Sequence, residues 1–142
     1  MARKHPKKTG GTFLLLHHHM LRHKSFGSLS ANAAKLFIEV AIEYNGKNNG
    51  DLSATFNTLK MRGFKSKGTL DRALKELMNK GFIQKTRQGG KNKCCLYGLT
   101  LYKLDECDGK MDVSPTKVAS MLWKKNDIAT PTQSTTTPDE GQ

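Results

Sequence analysis

Acidic residues are scarce in this chain: 12 Asp and Glu stand against 24 Lys and Arg, a formal charge of +12 over 142 residues. That shortage argues against an acidic surface and for a polyanionic partner. It is also uneven, since residues 1–101 hold 19 basic and 5 acidic residues whereas 102–142 hold 5 and 7. Long apolar runs are missing. No stretch approaches the ~18 residues of a membrane-spanning helix, and the start, MARKHPKKTGGTF, lacks the apolar region of a signal peptide. Membrane insertion and secretion are therefore not expected; a soluble cytoplasmic protein is. Cysteine is limited to Cys94, Cys95 and Cys107, which suits a reducing compartment better than a disulfide framework. Neighbours in a strand point to opposite faces, so Cys94 and Cys95 are expected to be poor joint ligands for a metal. Catalytic signatures are missing too: there is no Walker loop, Gly-x-Ser-x-Gly, His-Glu-x-x-His or Cys-x-x-Cys pair. Asp105, Glu106 and Asp108 share one polar loop and read as a solvated turn rather than a magnesium site. Neither an enzyme nor a cofactor is expected.

What is present is helical periodicity. In GFKSKGTLDRALKELMNKGF, residues 63–82, a turn of ~100° per residue places Leu70, Ala73, Leu74, Leu77 and Met78 on one side. Gly68, Arg72, Lys75 and Asn79 fall on the other. Ser66 is a good N-cap and Gly81 can end the helix in the left-handed conformation, so a helix is predicted from Lys67 to Lys80. Upstream, Ser30 can cap ANAAKLFIEVAIEYN, whose only polar stripe is Asn32, Lys35, Glu39 and Glu43; that helix must be largely buried. NGKNNG, residues 45–50, supplies turn residues that tolerate positive φ. A short extended piece at Asp51-Leu52 and a second, shorter helix from Ser53 or Ala54 to Arg62 follow. Further upstream, LLLHHHMLRHKSF reads as a short helix leading into the domain. His19 and His23 then stand one turn apart, but two imidazoles without a placed third ligand do not make a metal site. They fit a surface helix, or one that faces DNA phosphates.

Downstream of the basic helix, FIQKTRQ and CCLYGLTL read as strands joined by the hairpin-forming GGKNK. Cys95, Tyr97, Leu99 and Leu101 would share the core face, with Lys85, Arg87, Lys91 and Lys93 clustered at the far end. Helix, helix, turn, helix and basic-tipped hairpin is the order of a winged helix-turn-helix domain, an α+β fold. In that arrangement the second helix of the pair presents Lys65, Ser66, Lys67, Gly68, Thr69, Arg72 and Lys75 to a major groove. Gly68 keeps the helix start slim, Thr69 and Arg72 can reach base edges, and Arg suits bidentate contact with guanine. Lys60 and Arg62, like Lys65 and Lys75, suit phosphates. Wing residues Lys85, Arg87, Lys91, Asn92 and Lys93 are placed for the adjacent backbone or minor groove. The expected partner is double-stranded DNA.

These residues also carry a resemblance. SKGTLDRALKELMNKGFIQKTRQG resembles the recognition helix and first wing strand of winged-helix proteins of bacteriophages, plasmids and integrated mobile elements, with Ser66, Thr69, Arg72, Ala73 and Leu74 matching. AIEYNGKNNGDLSAT and NKCCLYGLTL extend the likeness to about residues 26–110. The chain departs from the compact pattern at Lys65, an extra residue before the cap, and at Leu59, where a small residue is commoner. The resemblance implies a regulator or replication-associated protein. An alternative is a mobile-element protein that covers a nucleic-acid-binding host protein with the same basic surface.

The expected organisation is a flexible basic arm over 1–12, the winged-helix domain over 13–110, a short amphipathic helix within 111–125 and a disordered tail over 126–142. Ser114 and Pro115 define a helix start. Val118, Met121, Leu122 and Trp123 would then either pack back on the domain or dock a host or replication protein, or a second protomer. A homodimer fits paired half-sites, although no long coiled-coil heptad is present.

Overall fold

The computed structural model describes residues 11–124, so residues 1–10 of the expected arm and the whole expected tail lie outside the described part. Three main helices are followed by a two-stranded antiparallel hairpin, an α+β arrangement. Two four-residue helices, α1 (His18–Leu21) and α2 (Lys24–Gly27), come first. The expected single leading helix is divided between them because the His23 ring accepts the Ser25 N–H at 3.0 Å and restarts the chain as an N-cap.

Helix α3 (Ala31–Ile42) begins as expected at Ser30, whose Oγ accepts the Ala33 N–H at 3.1 Å. Its Ala33, Leu36, Phe37, Val40 and Ala41 are buried, and each large apolar side chain so placed contributes about 1.5–3 kcal/mol. Helix α4 is shorter than expected, Phe56–Leu59 with a 3-10 turn over Lys60–Arg62. Leu52 exchanges two backbone hydrogen bonds with Tyr97, at 3.1 and 2.7 Å, and this third strand segment holds the preceding residues extended. Residues 53–55 are then needed to turn the corner. Gly63, at φ +108°, ends the 3-10 turn in a conformation that favours glycine. Buried Phe64 anchors the way into α5 (Lys67–Asn79). The Ser66 hydroxyl accepts the Thr69 N–H at 3.1 Å, and Gly81 at φ +85° closes the helix.

Strands β1 (Ile83–Arg87) and β2 (Leu96–Leu99) pair antiparallel, with Ile83 opposite Leu99 and Arg87 opposite Leu96. A bulge falls at Thr86, between Lys85 and Arg87. Tyr97, Leu99 and Leu101 do join the core, and Cys95 packs against it. The other face of β2 is covered as well, since Leu96, Gly98 and Thr100 are also buried. Segment 100–116 lies over that face. Leu104 sits so close to Gly98 that a Cβ there would meet it at 2.5 Å, and the bulged Thr86 donates to Gly50 O at 2.6 Å and accepts from Asp112 N at 2.7 Å.

The expected helix over Ser114–Lys124 does not form; only a 3-10 turn, Leu122–Lys124, is present. Before that turn its backbone bonds to the rest of the domain. Thr116 N donates to Leu104 O, the Leu104 N–H reaches the Thr116 hydroxyl, and Met121, at φ +47°, donates to Thr100 O. Trp123 is 1% exposed, in the core and stacked on Phe82, whereas Val118 is 73% exposed. The core therefore crosses the boundary expected at residue 110, and in this conformation Trp123 is not part of a docking face.

Candidate nucleic-acid interface

Residues 60–93 hold eleven Lys and Arg against Asp71 and Glu76 alone, and the fold decides which of those charges face outward. Burial of Leu70, Ala73, Leu74 and Leu77 turns the opposite side of α5 to solvent. Lys65, Ser66, Lys67, Gly68, Arg72 and Lys75 are exposed there, with Thr69 half-buried. The start of the helix is tied into a short chain of hydroxyls. Ser66 Oγ lies 2.9 Å from Thr69 Oγ1, which in turn accepts from an Arg72 guanidinium nitrogen at 3.4 Å. Another Arg72 nitrogen lies 3.3 Å from where a Cβ on Gly68 would stand. The missing side chain thus makes room for the guanidinium to fold back over the first turn, a role distinct from the close backbone approach expected of Gly68.

The hairpin closes on itself at Gly90 and Lys93, which exchange backbone hydrogen bonds at 3.0 and 3.2 Å, leaving Lys91 and Asn92 at the tip. Asn92 takes the left-handed conformation, φ +63°, that Asn tolerates. Lys91, Asn92 and Lys93 are exposed. Lys85 is exposed as well and donates to Gln88 at 3.1 Å. The root of the hairpin adjoins the first half of α5, where Lys67, Leu70, Asp71 and Leu74 share a small cavity with Cys94, Cys95 and Tyr97.

Two of the expected contact residues are engaged within the protein. Arg62, placed as a phosphate contact, donates from Nε and Nη2 to the two oxygens of Glu39 at 2.9 and 3.2 Å. Glu39 also takes Lys35 at 3.4 Å. The hydrogen bond from Arg62, against the opposing effect of burial, holds the Glu39 carboxyl below its usual range, and the same contact raises Arg62. Arg87, placed as a wing contact, donates from Nε and Nη2 to the Cys94 carbonyl at 3.3 and 2.8 Å. It fastens the hairpin. Lys60, Lys65, Lys67, Lys75, Lys91 and Lys93 have no ion-pair partner among the described residues.

The histidines divide differently from the expectation of one surface helix. His17 and His19 stack at 5.5 Å, and the rings of His19 and His23 lie 5.4 and 5.1 Å from Trp123. Among the described residues no group of three or more His, Cys, Asp or Glu is placed to hold a metal ion, and no helix is long and apolar enough to cross a membrane. The Glu39 partnership is what sequence reasoning missed. Its signal was an acid on the polar stripe of an otherwise apolar helix, one turn from Lys35. Compared with family models, with curated proteins and with solved structures, the chain matches none.

Proposed function

We propose that the chain is a winged helix-turn-helix protein that binds double-stranded DNA, with α5 as the recognition helix and the 88–95 hairpin as the wing. The observation that carries this reading is the exposed, unneutralised face of α5, with Lys65, Lys67, Arg72 and Lys75, next to a hairpin tipped by Lys91 and Lys93. Helix order and the short turn through Gly63 support it. Arg72 offers a fork for guanine, and the Ser66 and Thr69 hydroxyls offer further contacts to base edges. Lys60, Lys65, Lys67 and Lys75, with the wing lysines, neutralise phosphates. Arg62 and Arg87 act through Glu39 and the Cys94 carbonyl, as positioning residues. A role in regulation or replication for a phage or other mobile element follows from the resemblance of residues 26–110, and a place in the cytoplasm from the cysteine usage and the lack of long apolar runs.

The test is duplex binding as a function of salt. Log affinity should fall with log salt at about −0.9 per phosphate neutralised, so engagement of all six free lysines gives a slope of about −5. A folded protein that fails to bind duplex DNA even at low salt would overturn the reading and favour a host protein as the partner of this face.

A further inference from the structure

Cys94 and Cys95 precede β2, so the alternation of a strand does not separate them, and both line one cavity of about 220 Å³ between α5 and the root of the hairpin. Cys95 also packs against the core, and its sulfur accepts the Gly89 N–H at 3.2 Å. Phe56 and Leu70 supply apolar wall, and Asp71 and Tyr97 supply polar groups. Both thiols are free and half-buried. Tyr97, only 5% exposed, lines this space too. Burial first, then the neighbouring Cys95, Asp71 and Cys94 groups, push the phenol up to about 12. Thiols and phenol are therefore close enough to sense one another.

The geometry points to a binding site for a soft thiophilic centre held by both sulfurs, of the class of trivalent arsenicals, with its organic substituent against Phe56 and Leu70. Chemistry narrows the choice. A tetrahedral zinc site wants four ligands, and no third protein ligand of the usual types is placed here among the described residues. A direct disulfide is disfavoured, because consecutive Cα atoms lie ~3.8 Å apart and disulfides span about 4.4–6.8 Å. A single bridging atom relieves that constraint. With an arsine oxide, two S–H bonds break, two As–S bonds form and the oxygen leaves as water; arsenic stays trivalent and nothing is oxidised. The site does not depend on the DNA-binding reading.

Phenylarsine oxide added to the reduced full-length chain tests the proposal. Intact mass and peptide mapping should show one adduct per chain, bridging Cys94 and Cys95 and unaffected by Cys107→Ser. Removing it with 2-mercaptoethanol should take roughly a hundredfold more reagent for the wild type than for Cys94→Ser or Cys95→Ser, because the second bond is intramolecular. It should also come off more easily in urea, where only the adjacency of the cysteines remains. Equal resistance in urea would overturn the cavity's part. Separate adducts on individual thiols, or none, would overturn the site.

Discussion

Asn49 is fully buried and joins the loop after α3 to the turn after β2. Its side-chain amide donates to the carbonyls of Leu99, Tyr102 and Lys103 at 2.9, 3.1 and 2.8 Å, and its oxygen accepts the Leu99 N–H at 2.7 Å. In NGKNNG this asparagine is indistinguishable from its turn-forming neighbours, since nothing local marks partners about fifty residues away. Asn49→Ala should orphan several buried backbone groups at about 1–3 kcal/mol each. A loss of at least about 3 kcal/mol in urea unfolding is expected, and Asn49→Asp should be no better, because a carboxylate cannot donate to three carbonyls. Acid stability is also decided residue by residue. Burial tends to raise Glu76, but the Ser30 N–H and hydroxyl, at 2.7 and 2.8 Å, and the charge of Lys80 bring it below 4.5; Glu39 is lowered by Arg62. Folded values below the unfolded ones contribute stability above the unfolded pKa, and this is lost as pH falls through the folded value. Melting temperature should therefore fall between about pH 5 and pH 2. Glu76→Gln should flatten that limb and lower the neutral-pH value.

At the scale of elements, α5 and the hairpin divide the proposed labour. Arg72→Ala should cost roughly 1–3 kcal/mol on a specific duplex and blunt sequence discrimination, whereas Lys91→Ala with Lys93→Ala should weaken all sequences alike and flatten the salt slope. Quantitative binding to a selected site and to scrambled duplexes separates the two. A wing double variant that alone alters sequence preference would invert the assignment. Much of α5 was readable in advance: its apolar spacing, the Ser66 cap and the Gly81 stop are short-range signals, and the helix ends within a residue of where they place it. Those signals also located the hairpin and its basic tip. They could not separate Arg72, which reaches back to Thr69 of its own helix, from Arg62 and Arg87, which turn to Glu39 and the Cys94 carbonyl. Guanidinium chemistry is the same in all three, and only the neighbours differ.

Across the whole molecule, residues 113–124 act as a strap that completes the core. Trp123 fills a space against Phe82 and the His19 and His23 rings, and Ser25 Oγ donates to its carbonyl at 3.2 Å. Gly81 lets the strap in: a Cβ there would stand 2.5 Å from the Leu122 backbone. Trp123→Ala should cost about 3–5 kcal/mol, and removal of residues 113–142 should lower the calorimetric melting temperature with little change in DNA affinity per folded protomer. A truncated chain with unchanged melting would show that the strap does not belong to the folded unit. The α+β order, the α3 and α5 caps and the excess of positive charge were legible from the residues alone, because periodicity, capping and charge act over a few residues. That Ser114–Lys124 is a strap rather than a helix, that two arginines are engaged within the protein and that Cys94 and Cys95 share a cavity came from packing. Each of those outcomes depends on partners brought together from distant parts of the chain, where a backbone N–H or a guanidinium takes the acceptor that packing places beside it.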